Sequence, residues 1–426
     1  MVSIMYIDRS VFDTLCEQKN NSKITILIGG RQVGKTTLLQ ALYSSVKQSN
    51  PCLFLDLDLY SSFEKIRTYD NLINTLILNG YKSDQEKIFF LFLDEFQRYE
   101  DVSKVLKNVA DHHSNIKVFA SGSSTLGIKS NIQETLAGRK RIISIYPLSF
   151  REFLQFTRNQ EAIDNLSHLP EISSRTLNQL TPSLFRALDD FLIYGGYPEV
   201  ALVKQDEKQE VLNSIFDLYV RKELVDYLKI DKVKNTKTLI QHLAVNNGGE
   251  TRYNECGQVA GLDEKTVKNT IEILRETFLL AVLTPWFTNR NRELVKMPKI
   301  YFLDNGVRNY FINNFNPPGL RPDTPFLFEG YVISELIKSG FAQDSIKFWR
   351  TKNQMEVDLV LDRSGRRTPV EVKYKKSISG TDLKGLKSYC SMYPETEQTF
   401  LINLYDNTRM DGIRLLPPFD LSALAE

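Results

Sequence analysis

The chain has 426 residues, of which 25% are charged and 42% are hydrophobic, and these fractions are close to those of average globular proteins. A disordered tail, a collagen and a coiled-coil rod are therefore excluded, and the length predicts about three domains. The 54 basic residues nearly balance the 52 acidic ones, so the formal net charge is +2. No overall charge draws the protein to nucleic acid, and any basic surface must be local.

Cysteine usage and hydropathy predict a cytoplasmic protein with no membrane segment. The longest apolar stretches, such as Phe89–Leu93, fall far short of the roughly 18 residues needed to span a bilayer. The N-terminus carries Asp8 and Arg9 and lacks the apolar core of a secretory signal. The cysteines lie far apart and form no CxxC pair, which argues against a disulfide framework or a cysteine-rich zinc site and favours a reducing compartment; they are Cys16, Cys52, Cys256 and Cys390.

Short apolar runs alternate with helical stretches in the first third of the chain, a pattern typical of a parallel sheet covered by helices. The runs are continuous and not alternating, which indicates strands buried on both faces. A helix is predicted to begin at Lys35 and to carry its apolar face on Leu38, Leu39 and Leu42. The predicted strands are Ile24–Ile28, Cys52–Leu57, Ile88–Leu93, Lys117–Ser121 and Arg141–Tyr146.

The segment from Gly29 to Thr36 matches the phosphate-binding pattern GxxxxGK[ST]. It follows a predicted strand and opens a predicted helix, where main-chain amides and the helix N-terminus can surround a phosphate. Lys35 is predicted to reach the β- and γ-phosphates and Thr36 to bind Mg²⁺. The alternative is a glycine-rich turn without a ligand. The predicted nucleotide contacts are Gly29, Gly30, Arg31, Gln32, Val33, Gly34, Lys35, Thr36 and Thr37.

A second motif supports the phosphate-binding interpretation. The apolar strand Ile88–Leu93 ends in Asp94 and Glu95, and two acids at the end of a buried strand are costly unless a cation satisfies them. Asp94 is placed to hold Mg²⁺ opposite Thr36, and Glu95 to polarise the attacking water. The alternative is an exposed acidic pair at a strand end.

This arrangement of cradle, acidic strand and one further strand resembles the AAA+ branch of the P-loop ATPases. The resemblance implies a polar γ-phosphate sensor, for which Ser121 and Ser123 are the candidates; the alternative is a plain strand-to-helix cap. It also implies an arginine finger offered to a neighbouring subunit's nucleotide, and Arg139 is the nearest candidate. A lone arginine is otherwise a solvated surface charge.

The middle of the chain is predicted to be helical. Helical periodicity replaces the strand signals over residues 151–229, where we predict a lid or linker domain interrupted by the Gly195–Pro198 turn. Residues 230–310 then predict a winged-helix domain. Its first helix has an apolar face of Tyr253, Cys256 and Val259, and Asp263 caps the second helix.

Positive and polar residues of this predicted winged helix are candidates for DNA contact, because the N-terminus of a recognition helix enters the major groove. The candidates are Lys265, Lys268 and Asn269 on the second helix, and Arg290 and Arg292 in the loop of the predicted wing. The alternative is a structural or protein-docking winged helix.

The last part of the chain, residues 311–426, restarts an α/β pattern. A predicted hairpin brings Asp358 beside Glu371 and Lys373, which period-2 alternation places on one face, and Glu329 lies on a preceding helix. Two carboxylates can bind Mg²⁺ while the lysine activates a water for attack on phosphate. This set resembles the PD-(D/E)XK restriction-endonuclease-like fold. The alternatives are a solvated strand face and a nuclease fold that binds without cutting.

Taken in order, the motifs resemble bacterial and archaeal AAA-family ATPases that carry a C-terminal restriction-endonuclease-like domain of unknown function. The resemblance implies an α/β ATPase domain over residues 1–150, ATP and Mg²⁺ as cofactors, a homo-oligomer, and DNA as partner. Our leading hypothesis is an ATPase that acts on DNA. The alternatives are an ATP-gated DNA endonuclease and a nucleotide switch that docks a protein partner without cutting DNA.

Overall fold

The structure is a computed structural model, and it describes residues 9–84, 87–99, 101–123, 135–169, 182–219, 233–287, 297–363 and 365–424. The chain forms two compact units. Unit 1 comprises Met1–Pro147 with Glu276–Phe278, and unit 2 comprises Leu148–Arg275 with Leu279–Glu426. Unit 1 ends close to the predicted domain boundary at residue 150. Unit 2 contains the three segments that the sequence assigns to separate domains, and that finer division stays a prediction.

Unit 1 is built on a parallel sheet, as the sequence predicts. Its strands are β1 (Ile24–Gly29), β2 (Cys52–Asp56), β3 (Phe89–Asp94), β4 (Ile116–Ser123) and β5 (Lys140–Ile145), and within the described residues they lie in the order β2-β3-β4-β1-β5. The helices are α1 (Ser10–Glu17), α2 (Lys35–Val46), α3 (Tyr60–Glu64), α4 (Tyr69–Leu78) and α5 (Val102–His112).

The strand order separates the two motif strands. β4 pairs with β1 on one side and with β3 on the other, so the cradle and the acidic strand end lie two strand spacings apart, about 10 Å. A row of stacked rings crosses the sheet, with Phe92 5.5 Å from Phe119 and 6.4 Å from Phe54 between ring centroids. β1 and β3 are buried along their whole length, as the sequence predicts, but the prediction of full burial is wrong for the edge strands β2 and β5, which are only partly buried because each has a neighbouring strand on one side only.

Unit 2 begins with helices, namely α6 (Phe150–Phe156), α7 (Gln160–His168), α8 (Pro182–Tyr194), α9 (Pro198–Leu202) and α10 (Lys208–Tyr219). The turn between α8 and α9 is fixed by Asp304, a buried carboxylate that accepts a hydrogen bond from the Gly196 amide at 2.7 Å. A Cβ at Gly195, which has a φ of +76°, would lie 2.0 Å from Asp304 Oδ1. The glycine pair is therefore a tight packing point between segments far apart in sequence.

Three helices and a strand pair follow: α11 (Val233–Val245), α12 (Tyr253–Ala260), α13 (Glu264–Glu276), β6 (Leu280–Leu283) and β7 (Lys299–Phe302), with β6 and β7 antiparallel. Asp263 caps α13 by accepting a hydrogen bond from the Thr266 amide at 2.9 Å. The predicted apolar face of α12 is wrong at Val259, which is 54% exposed. Gly257 and Ala260 are buried in its place, because a Cβ at Gly257 would already meet the carbonyl of Leu262 at 2.5 Å.

The C-terminal part of unit 2 has a mixed sheet. Its elements are α14 (Asn305–Ile312), α15 (Thr324–Lys338), β8 (Ile346–Arg350), β9 (Glu356–Arg363), β10 (Arg366–Val372), α16 (Lys384–Met392), β11 (Phe400–Ile402), β12 (Arg409–Met410) and β13 (Ile413–Leu416). Strands β8, β9 and β10 form an antiparallel meander, and β11 lies parallel to β10. The full order among the described residues is β12-β13-β11-β10-β9-β8.

All four cysteines are free thiols. Of the helices in the described ranges, none combines the length and the apolar character that crossing a bilayer requires.

A carboxylate between two arginines stabilises the start of α15. Asp323 accepts hydrogen bonds from Arg321 at 2.7 Å and from Arg308, and the Arg308 Nε donates to the Ala244 carbonyl at 2.7 Å. Burial raises the pKa of Asp323, but the hydrogen bonds from Arg321 and Arg308 outweigh it and lower the pKa to about 2. The folded state therefore favours the ionised form of this carboxylate.

The Asp323→Asn variant should lower the stability of unit 2 at pH 7 by about 2 kcal/mol. Because the pKa of Asp323 is lower in the folded than in the unfolded state, the ionised carboxylate stabilises the fold above pH 4, and this stabilisation is lost as the pH falls towards 2. The thermal midpoints of variant and wild type should therefore converge between pH 4 and pH 2. Calorimetry between pH 7 and pH 2 measures this. Asp411→Asn, which changes an exposed carboxylate paired with Lys387, is the matched control, and an equal effect in it would contradict the assignment.

Candidate functional sites

The cradle predicted from the sequence is shaped to receive an anion. Gly34, at the N-cap of α2, has a φ of +94°, and no side chain caps this helix end. The first amides of a helix have no partner within the helix, and at the start of α2 they follow directly on the loop that Gly30, Arg31, Gln32 and Val33 form. An uncapped helix start behind a glycine turn matches the donor set that a phosphate needs.

The neighbouring strands leave no room for a larger residue at the start of the loop. A Cβ at Gly29 would lie 2.1 Å from the carbonyl oxygen of Ile145 on β5. The Lys35 side chain is buried, and its Nζ donates to the carbonyls of Gly29 at 3.1 Å and Gly30 at 2.6 Å. The ammonium group is therefore held inside the loop, where it can meet an incoming phosphate.

Arg9 supports the cradle from outside, and the sequence did not assign it this role. Its Nη1 donates to the Val33 carbonyl at 2.9 Å and its Nη2 to the Tyr146 carbonyl at 3.0 Å. The buried guanidinium joins the cradle to the end of β5. Nothing in the sequence pattern signals a contact between residues so far apart in the chain.

The acidic strand end lies beside Ser121. Asp94 is buried and accepts a hydrogen bond from the Ser121 hydroxyl, whose oxygen accepts a hydrogen bond from the Glu95 amide at 3.3 Å. Glu95 itself has a φ of +54°, in the left-handed region, and starts the turn Phe96–Arg98. One serine on β4 therefore contacts both acidic residues, and the sensor role predicted for it stays a prediction.

The other predicted ATPase residues lie elsewhere or are partly undescribed. Ser123 ends β4 beside Gly29, and its side chain lies outside the described part. Arg139 precedes β5 at the opposite, amino edge of the sheet, where its carbonyl accepts from Ile24 and its side chain bonds Asp111 at 3.2 Å. Arg139 does not reach the cradle of its own chain, and its action on a neighbouring subunit stays a prediction.

Three of the five predicted DNA-contacting residues are described by the structure. Lys265, Lys268 and Asn269 are exposed on the first two turns of α13. Lys268 is 2.6 Å from Glu264 and stands 5.2 Å from the ring centroid of Tyr253. Arg290 and Arg292 lie outside the described residues.

The hairpin residues of unit 2 come together as the sequence predicts. Asp358 on β9 accepts a hydrogen bond from the Val372 amide at 2.9 Å, and Lys373 Nζ lies 3.3 Å from Asp358 and 2.5 Å from Glu371. Glu371 Oε2 is buried and has no hydrogen-bond partner among the described residues. The lysine thus bridges two carboxylates, one of which keeps an unused oxygen.

Glu329 joins the same cluster through residues that the sequence analysis missed. The Tyr301 hydroxyl donates to Glu329 at 2.5 Å, and Lys299 lies 3.8 Å from Glu329 and in contact with Glu356. Lys299 and Tyr301 are two residues apart on β7 and so lie on the same face of that strand, outside the β9–β10 hairpin. Only the spacing Lys299-x-Tyr301 could have suggested a shared face, and it gives no clue to the partner.

Burial controls the charges of this cluster. Burial and the neighbouring Asp358 raise the pKa of Glu371 to about 8, and burial raises the pKa of Glu329 to about 7 against the opposing charge of Lys299. Burial lowers the pKa of Lys373, but Asp358 and Glu371 outweigh it and raise the pKa above its ordinary value. The environment therefore favours the protonated forms of Glu329, Glu371 and Lys373.

The carboxylates of this cluster are chemically suited to a hard divalent cation. Carboxylate oxygens are the ligands that Mg²⁺ prefers, and the unpartnered oxygen of Glu371 is one available donor. In the parts of the chain that the structure describes, however, no three His, Cys, Asp or Glu side chains are placed to hold a metal ion. The lysine bridge occupies the space between Asp358 and Glu371.

Comparison with known families supports the assignment of unit 1. Residues 21–154 match a family described as an AAA domain. Residues 185–317 and 325–417 match two domains of unknown function, DUF8612 and DUF4143. Residues 21–154 thus combine the sequence pattern of an AAA domain with a parallel sheet and a phosphate cradle, and they form a P-loop ATPase-like domain.

Individual proteins resemble the chain over most of its length. An uncharacterized protein of Haemophilus influenzae is 24% identical over 412 residues, 94% of each chain. The uncharacterized protein MJ1637 of Methanocaldococcus jannaschii is 28% identical over 352 residues, 78% of this chain and 68% of its own. A solved structure, the Walker-type ATPase PABY2304 of Pyrococcus abyssi, has 14% identity and a TM-score of 0.48, and it aligns with 72% of this chain and 96% of its own.

Proposed function

We propose that this protein is a Mg²⁺-dependent ATPase that acts on DNA. The observation that carries the ATPase part is the placement of Lys35 and the Asp94–Glu95 pair at the carboxyl edge of one parallel sheet, with Ser121 between them. Ligands of open α/β sheets bind at that edge.

Each residue of this edge has a distinct role. The amides of Lys35, Thr36 and Thr37 and the Lys35 ammonium hold the phosphates, and Gly29 and Gly34 keep the loop open. Thr36 and Asp94 would hold Mg²⁺, which would supply positive charge to the phosphates when bound. Glu95 accepts a proton from the attacking water, and Ser121 fixes the spacing of the two acids.

Lys35→Ala should abolish nucleotide binding or reduce it by at least tenfold, because the variant lacks the charge that meets the phosphates. Glu95→Gln should bind ATP like the wild type and lose hydrolysis by about 100-fold, because the amide accepts no proton. Calorimetric titration with ATP and a phosphate-release assay measure the two effects separately. Unchanged turnover in both variants would reject the site.

DNA action is supported by the form of the middle of unit 2. Helices α12 and α13, joined by a turn at Gly261 with a φ of +65°, and followed by the β6–β7 pair, have the order of a winged helix. The exposed Lys265, Lys268 and Asn269 lie at the start of α13, which is the part of a recognition helix that enters the major groove. We infer that this helix contacts DNA.

Lys265→Ala/Lys268→Ala should weaken DNA binding about tenfold at low salt and reduce the slope of log affinity against log salt by about 1 to 2. Fluorescence anisotropy with a labelled duplex over a salt series measures both. Lys384→Ala/Lys387→Ala is the control, since it removes two exposed lysines at the same spacing from α16, one of them paired with Asp411. Equal losses in the two variants would indicate non-specific charge attraction and contradict a recognition helix.

A second candidate function is DNA cleavage at the carboxylate cluster. The order α15-β8-β9-β10-α16-β11, with an antiparallel meander and a parallel β11, supports a PD-(D/E)XK-like core, for which Asp358, Glu371 and Lys373 are the candidate site residues. The unpartnered oxygen of Glu371 favours a ligand there. For cleavage, Lys373 would have to break its ion pair with Asp358 or with Glu371, so that this carboxylate could bind the metal ion.

If the cluster cuts DNA, linear, branched or single-stranded DNA incubated with the protein and Mg²⁺ or Mn²⁺ should give product, and Lys373→Ala should lower its rate at least 100-fold. Lys375→Ala is the control, because Lys375 lies two residues further on, is half-exposed and pairs with Asp382 instead. Absence of product from every substrate, or equal cutting by Lys373→Ala, would leave the cluster as a binding or structural element.

A further inference from the structure

Gln97 contacts the side chain that the proposed ATPase uses as its proton acceptor. The amide Nε2 of Gln97 donates a hydrogen bond to Oε2 of Glu95, two residues before it. This bond engages one of the two carboxylate oxygens. No sequence motif marks Gln97, which looks like an ordinary polar residue after the acidic pair.

The main chain around these two residues is already fixed by other contacts. The Glu95 amide is bonded to Ser121, the Arg98 amide donates to the Glu95 carbonyl at 3.1 Å, and Phe96 is buried in the core of unit 1. What remains free is the rotation of the Glu95 side chain, which Gln97 restrains.

Gly122 on β4 makes room for this arrangement. A Cβ at position 122 would lie 2.6 Å from Gln97 Oε1 and 3.0 Å from the Phe96 ring. That Oε1 atom is buried and has no hydrogen-bond partner within the described ranges. If the side-chain amide of Gln97 were flipped, its Oε1 atom would face the Glu95 carboxylate and repel it. The observed orientation instead gives Glu95 a hydrogen bond from Nε2.

We propose that Gln97 is a positioning residue for ATP hydrolysis, holding the Glu95 carboxylate in the orientation that accepts a proton from the attacking water. The inference rests on the proposed ATPase function. In that reaction the water oxygen bonds to the γ-phosphorus, the bond to the β–γ bridging oxygen breaks with its electron pair left on ADP, and Glu95 takes the proton and later returns it to solvent.

Two variants separate positioning from packing. Gln97→Ala removes the donor and the bulk, whereas Gln97→Glu keeps the shape but replaces the donor with a like charge. Both should lower kcat by about 10- to 100-fold, as expected for a displaced catalytic group, while the Kd for ATP stays within about twofold. A packing role alone would let Gln97→Glu retain its activity.

A double variant and a control complete the test. Glu95→Gln/Gln97→Ala should be no slower than Glu95→Gln, because a residue acting through Glu95 has nothing left to position. Arg98→Ala, which changes the neighbouring exposed residue beside Asp58, should keep wild-type kcat. Gly122→Ala should reproduce the loss by displacing Gln97.

The results separate the role of Gln97 from the ATPase function on which it rests. Turnover that Glu95→Gln abolishes but that Gln97→Ala and Gln97→Glu retain or exceed would overturn the inference and keep the ATPase. A wild-type protein as inactive as Lys35→Ala would overturn both.

Discussion

The buried Asp94 carboxylate at the end of β3 requires a hydrogen-bond donor, and the Ser121 hydroxyl on the adjacent strand provides one. The same hydroxyl oxygen accepts a hydrogen bond from the Glu95 amide. This contact fixes the acidic pair in the sheet and at a set distance from the cradle. It depends on β4 pairing with β1 on one side and with β3 on the other, because that pairing places the Ser121 hydroxyl between the cradle and the acidic strand end. The order of five strands is thus what turns two local motifs into one site.

Unit 2 presents the same physical problem with a different solution. Four carboxylates (Glu329, Glu356, Asp358 and Glu371) share a buried region with Lys299 and Lys373, and an unpaired buried charge costs several kcal/mol. The structure meets this cost with ion pairs to the two lysines, and burial raises the pKa of both Glu329 and Glu371, which makes their protonated forms more favourable than in water. Lys299 comes from β7, outside the α/β segment that holds the carboxylates. The cluster is therefore incomplete in any fragment that begins at residue 311, and the β6–β7 pair belongs to it as much as to the helices before it.

The sequence predicted those features that depend on neighbouring residues. Continuous apolar runs identified all five strands of unit 1, the spacing from Gly29 to Thr36 identified the cradle, and alternation across a short hairpin placed Asp358 beside Glu371 and Lys373. Features that depend on contacts between distant segments were missed: Arg9 on the cradle, Lys299 on Glu329, and Gly122 beneath Gln97. The misplacement of Val259 has a third cause. An apolar residue marks a buried face on average, but close backbone approach at Gly257 selects the small residues of α12 for the interior.

The chain passes from the strand beside the cradle into unit 2 over a short segment. β5 ends at Ile145, whose carbonyl closes over Gly29, and the next residue, Tyr146, is held to the cradle by Arg9. Leu148 already belongs to unit 2, where its carbonyl accepts a hydrogen bond from Lys338 at 2.9 Å and the Phe150 amide donates to Glu335 at 2.9 Å. Both partners lie on α15, the helix that carries Glu329. Only Tyr146 and Pro147 therefore separate the end of β5 from Leu148, the first residue of the chain after β5 that contacts α15.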